Sequence, residues 1–385
     1  MAEQAFYDDS SCDIESFHQH LERAITVEGV PRAVSIESNI PIYRISDLAD
    51  DLTGAARQKI LAEWFQVLST GPGVLVLSGL MHDTEVVDEA SEIFQQILAE
   101  EAQASAGEGD HFAAAGSNSR IWNSAQKLCL KSPEVFARYF ANVALSAVCE
   151  AWLGPGYQMT AQLNVVHPGG IAQDAHRDYH LGFQPVESMK RYPSHVHALS
   201  PALTLQGAVA HCDMPLESGP TKLLPFSQTF GPGYVAMKRP EFQAYFEQYS
   251  VQLPLNKGDG LFFNPALFHA AGDNISPDIE RMANLLQISS AFGRAMESLD
   301  REAMSRSLYP ALLGLRGNLN KDCLHAAIAA CAEGYSFPTN LDKDPPLNGM
   351  APTSQVELMK QAVAEGWDIS DFESELLKLG LRKVT

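Results

Sequence analysis

A chain of 385 residues with 45% hydrophobic and 19% charged side chains has the make-up of an ordinary globular protein, long enough to bury a large core. Its net charge of −20, from 27 Lys and Arg against 47 Asp and Glu, disfavours nonspecific binding to nucleic acid or an anionic membrane surface. No apolar run approaches the roughly 18 residues of a membrane span, the acidic N-terminus lacks a signal-peptide layout, and six scattered cysteines without a CxxC pair suit reduced thiols, so a cytoplasmic protein is expected.

Residues 1–47 are weakly periodic and read as an N-terminal extension. Ile60, Leu61, Trp64, Phe65 and Leu68 recur at helical spacing, which predicts a helix over about 53–69, and residues 73–77 form a short apolar strand. Thr84 is the expected cap of a helix whose apolar stripe runs through Val86, Ala90, Phe94 and Ile97. The Ala/Gly/Ser-rich stretch 105–119 reads as a loop, either a lid over a site or a plain linker. Ser132-Pro133-Glu134 opens a long helix that Gly154-Pro155 closes. Between about 157 and 292, short runs of Val, Leu, Thr and Phe alternate with Gly, Pro, Asn and Asp breakers, which predicts strands at 159–166, 202–210, 221–225, 250–255, 260–264 and 282–290. Beyond Ala295 the composition turns helical, with a loop at 336–353 and a last amphipathic helix near 355–379.

Chemistry-bearing residues concentrate in the β-rich middle. In His176-x-Asp178, residues two apart on a strand project from one face, so an imidazole and a carboxylate reach one point. Alone the tripeptide is commonplace, and a surface turn is its plain reading. His269, after Gly258-Asp259-Gly260 and an apolar strand, supplies a third ligand; two His and one carboxylate suit non-haem Fe(II). Arg281 starts the alternating strand that follows. Gln162 and Asn164 share one strand face, as do Thr204 and Gln206, and either line a barrel interior or meet solvent. His195-x-His197 lacks a nearby Glu and reads as a polar loop, while His211, Cys212 and Asp213 have no serine elbow to serve.

With Glu217-Ser218-Gly219-Pro220 leading into Leu224-Pro225-Phe226-Ser227-Gln228, this order of motifs resembles the phytanoyl-CoA dioxygenase-like family of Fe(II)/2-oxoglutarate oxygenases over about 73–292. It departs at Phe226 and Gln228, where Gly and His are commoner, and at Ala283, where Ser or Thr is frequent. The resemblance implies a mainly β core with helices (α+β), a double-stranded β-helix or jelly-roll, in a domain over 48–294. N-terminal helices buttress that core, and residues 295–385 form a helical extension packed on it. It further implies iron held by His176, Asp178 and His269, with 2-oxoglutarate as cosubstrate anchored by Arg281 and contacted by Lys127, Gln162 and Asn164. O2 is the oxidant, and ascorbate serves as reductant in assays. Related halogenases lack the carboxylate, so Asp178 argues for hydroxylation, desaturation or another oxygenase outcome on a small organic molecule, hydroxylation first among them, with 2-oxoglutarate leaving as succinate and CO2. A catalytically silent jelly-roll binding protein and a zinc hydrolase on the same triad are the alternatives. Homodimerisation through the C-terminal helices is the expectation for assembly.

Overall fold

The computed structural model describes residues 4–104, 117–346 and 349–384, so residues 105–116 of the expected loop lie outside the described residues. Among the described residues ten strands form: β1 Ser35–Glu37, β2 Ile40–Arg44, β3 Val74–Ser78, β4 Asn118–Ile121, β5 Gln158–Val166, β6 Thr204–Ala210, β7 Lys222–Leu224, β8 Gly260–Phe263, β9 Phe268–Ala270 and β10 Arg281–Ser289. Eight make one sheet in the order β1-β2-β3-β8-β6-β10-β5-β4, antiparallel except where β2 meets β3. Opposite it, β7 pairs with β9, and single bridges at His176–His269 and Leu223–Val251 extend this smaller sheet on either side. Two mainly antiparallel sheets joined in this way are the jelly-roll expected from the sequence.

Each strand of the large sheet divides its residues between two environments. Met159, Ala161, Leu163 and Val165 of β5, Leu205 and Val209 of β6, and Met282, Leu286 and Ile288 of β10 pack into one apolar core with the helices. That core runs from Val30 to Leu379 and takes in helices Arg57–Ser69, Thr84–Ala104, Arg301–Leu315 and Lys321–Cys331. A second core, with Phe17, Phe230, Phe242 and Phe268, covers the outer side of the small sheet. A third, with Val74, Leu223, Leu261, Phe263 and Leu267, fills part of the space between the sheets.

Several local expectations change. Residues 40–44 pair in parallel with β3, and Ile40 and Tyr43 are fully buried, so part of the expected extension is sheet. The helix opened by Pro133 stops at Phe140, because the Asn142 side chain caps a new helix, Val143–Leu153, by accepting from the Leu145 N–H. The final helix is likewise two, Gln355–Glu365 and Ile369–Lys383, separated at Gly366, whose φ of 70° is a left-handed cap that favours glycine. Asp83, not Thr84, caps its helix, accepting from the Glu85 N–H. At 250–255 only isolated bridges form, at Val251 and Leu255. His195 and His197 sit on a helix, Ser194–Ala202, where His197 is buried with Nε2 3.1 Å from the Met189 carbonyl. Among the described residues no helix is long and apolar enough to cross a membrane.

Candidate metal centre

His176 and His269 face each other across a backbone bridge, each N–H donating to the other's carbonyl at 3.0 and 3.2 Å. Asp178, two residues on, falls on the same side, and its N–H donates to the Pro265 carbonyl. Arg177 between them points outward into the second core. Its guanidinium lies over the Tyr234 and Phe268 rings, 4.9 and 5.1 Å from their centroids, and donates to the Ser227 and Phe230 carbonyls. The apolar packing on one side of this segment thus sets the direction of the ligands on the other.

Ligand atoms of His176, Asp178 and His269 all lie within 4.8 Å of one another. The two imidazoles are oriented alike. Nδ1 of His176 lies 2.9 Å from the Asp174 carbonyl, and Nδ1 of His269 lies 2.8 Å from the Leu267 carbonyl. A carbonyl only accepts, so each Nδ1 carries the proton and each Nε2 keeps its lone pair for a metal. Those Nε2 atoms flank the carboxylate, 3.7 and 3.4 Å from Asp178 Oδ1 and Oδ2. Burial pushes the Asp178 pKa up, but the adjoining His269 and His176 rings and the Gln206 amide outweigh it and hold the group at about 2. For His176, burial first and the neighbouring His269 second depress the pKa below 6.5, which keeps the imidazole neutral. Gln206 Nε2 donates to Asp178 Oδ2, a positioning contact that the shared Thr204/Gln206 face hinted at.

Arg281 lies on the barrel-facing side of β10, buried, donating to the Ser218 carbonyl at 2.9 Å. Gly219 makes that turn, with φ 71° and the Asp273 carbonyl 2.2 Å from where a Cβ would stand. Burial pushes the Arg281 pKa down to about 10, and no carboxylate among the described residues pairs with it. A buried guanidinium without a counter-ion suits an incoming carboxylate. Lys127 differs: it sits on helix Ser124–Lys131 and ion-pairs with Glu101.

Gln162 and Asn164 also face between the sheets. Gln162 donates to Gln287 Oε1 at 3.0 Å and accepts from Arg120 at 3.0 Å, while buried Asn164 Oδ1 has no partner among the described residues. Buried Gln206 Oε1 and the Tyr179 hydroxyl are unpartnered too. Tyr179 and His180, directly after Asp178, both have positive φ, 59° and 48°, a strained backbone where most residues are disfavoured. Phe226 has φ 69°, which accounts for glycine being commoner there. His211 is structural, hydrogen-bonded to Ser91 and Tyr139, with burial depressing its pKa to about 3. Glu297 escaped the sequence reading. It lies in the loop after β10, near Gln162, and no pattern in that stretch marks it.

A jelly-roll holding two Nε2 atoms and one carboxylate around a common point, with a buried cation nearby, defines a mononuclear non-haem metal enzyme. Residues 70–283 match the family model described as Phytanoyl-CoA dioxygenase (PhyH), more than half of the sequence, and the chain belongs to that family. It is an enzyme dependent on Fe(II) and 2-oxoglutarate, with O2 as oxidant, which sets aside the silent binding protein and the zinc hydrolase. No curated protein matches the chain. Among solved structures, the non-heme alpha ketoglutarate dependent epimerase SnoN from nogalamycin biosynthesis aligns at 19% identity and TM-score 0.42, over 61% of this chain and 82% of its own. The same epimerase in complex with Fe3+, alpha ketoglutarate and nogalamycin RO aligns at 18% identity and TM-score 0.42, over 61% and 85%.

Proposed function

We propose that this enzyme hydroxylates a small organic molecule, with His176, Asp178 and His269 as the iron ligands and Arg281 as the anchor of 2-oxoglutarate. The observation that carries the reading is the triad itself: two lone pairs and one ionised carboxylate converge, each fixed by a second contact. When bound, Fe(II) with 2-oxoglutarate and O2 supplies the oxidising power to remove a substrate hydrogen, the cosubstrate leaving as succinate and CO2.

The protein's own part is to bind and orient. The Asp174 and Leu267 carbonyls hold the imidazole tautomers, and Gln206 holds the carboxylate. Arg281 offers its buried charge to the cosubstrate's far carboxylate, with Asn164 on the strand face beside it. Asp178 fills the ligand position that halogenases leave to chloride, which argues against halogenation. The test is succinate release from 2-oxoglutarate with Fe(II) and ascorbate, for wild type and Asp178→Ala. Succinate from wild type alone supports the reading. Equal release from both would remove Asp178 from the ligand set.

A further inference from the structure

Arg177 stands between His176 and Asp178, yet its side chain turns away from the metal side altogether. It is 2% exposed, a cation held between the rings of Tyr234 and Phe268. No carboxylate among the described residues pairs with it, and its Nε has no partner there. A charge buried in this way is costly to the fold. Space is nevertheless kept for it: a Cβ on Gly233 would stand 2.0 Å from the guanidinium carbon.

The carbonyls that Arg177 meets do not depend on it. Ser227 already accepts from the Phe230 N–H, and Phe230 from the Gly233 N–H. What the guanidinium adds is a link between the segments that carry the triad. Phe268, against one of its faces, directly precedes His269. The Phe268 N–H donates to Ser227 Oγ at 2.8 Å, while the Ser227 carbonyl accepts from Arg177. Ser227 is fully buried and is itself fixed, its hydroxyl donating to the Leu224 carbonyl at 2.6 Å. The chain neighbours of all three triad residues are thus tied to one serine, and the His176–His269 backbone bridge closes the ring on the metal side.

We infer that Arg177 is a positioning residue, a cationic clamp behind the metal centre that fixes the His176–Asp178 segment against His269 without adding to the stability of the fold. The inference rests on the proposed function, which makes these three residues the metal ligands. An apolar chain of similar length fills the same space but has no N–H for Ser227 and no charge to hold the two rings.

The test is Arg177→Met in the metal-free full chain, titrated with Co(II). That ion binds such donors at least as tightly as Fe(II), and its own visible absorption reports the ligand geometry without cosubstrate or O2. The thermal midpoint without metal is expected at or above that of wild type, because the buried charge is gone. Co(II) affinity is expected to fall about 10–100-fold, the range for groups that orient ligands, with an altered absorption band. Arg177→Ala leaves room for a free guanidinium ion, which at about 20 mM, far below denaturing concentrations, should restore affinity and band where sodium chloride does not. Wild-type affinity and band in Arg177→Met would overturn the clamp. So would an Arg177→Met protein that is destabilised or unfolded without metal, which would make Arg177 an ordinary core residue. No rescue of a folded Arg177→Ala would remove the cation's part. Absence of Co(II) binding in wild type, or binding that Asp178→Ala leaves unaltered, would overturn the clamp together with the triad. Co(II) binding with no succinate release from the iron form would count against the proposed function alone.

Discussion

On the helix-facing side of β10, Met282, Leu286 and Ile288 pack into the main core. On its other side Arg281, Ala283, Leu285 and Gln287 look between the sheets towards the metal centre. The same contrast holds along β5, where Leu163 and Val165 are core while Gln162 and Asn164 border the site. One face is apolar and closely packed. The other leaves Gln206 Oε1, Asn164 Oδ1 and a guanidinium without a carboxylate in the free protein. Each unmet buried group costs about 1–3 kcal/mol, so stability comes from one face and is given up on the other, where binding restores it.

Substitutions that separate the two faces should differ in kind. Asp178→Ala removes a proposed iron ligand and should cut iron affinity and turnover by more than about 100-fold, the upper range for outer-shell partners alone. Its thermal midpoint without metal should stay close to wild type; a large loss there would make Asp178 a structural residue. Arg281→Ala should raise the 2-oxoglutarate concentration needed for half-maximal succinate release about 10–100-fold, as expected for a charge-assisted contact of about 1.5–3 kcal/mol. Its iron titration should stay in place, and an unaltered cosubstrate requirement would move the anchor elsewhere. For Gln206→Leu the expected change is about tenfold in iron affinity, since Asp178 remains but loses its positioning donor.

Leu286→Ala has the smallest effect at the site. It should lower unfolding free energy by about 2–5 kcal/mol in denaturant titration while iron and 2-oxoglutarate affinities hold. A shift of those affinities comparable to that of Gln206→Leu would show that the faces are not independent. Acidity sharpens the same contrast. His176 has its pKa below 6.5 when folded, so iron affinity should persist as pH falls through 6.5 and decline only below it. In the metal-free protein the unfolded chain takes up that proton first, so stability contributed by neutral His176 is present above 6.5 and is lost as pH falls towards the depressed value.

The inner face was partly legible because strand period and ligand spacing are local. His176-x-Asp178, the apolar strand before His269 and the alternation from Arg281 onward each fit within a few residues. Phe226 was visible as a departure, and its left-handed φ supplies the reason. Contacts made across long sequence separations were not legible. The parallel pairing of β2 with β3, the return of Glu297 to Asn123 and Gln162, and the burial of His197 have no local signature. Helix breaks at Asn142 and Gly366 did have one, in cap-forming residues that the apolar stripes on either side masked.

The most direct measurement is an anaerobic titration of the metal-free protein with Fe(II) and then 2-oxoglutarate, followed by visible absorption. Wild type should develop the weak charge-transfer band of a chelated cosubstrate. Asp178→Ala should not, and Arg281→Ala should do so only at higher 2-oxoglutarate. Absence of the band in wild type with both components in excess, or its full retention in Asp178→Ala, would contradict the assignment of this triad as the iron site.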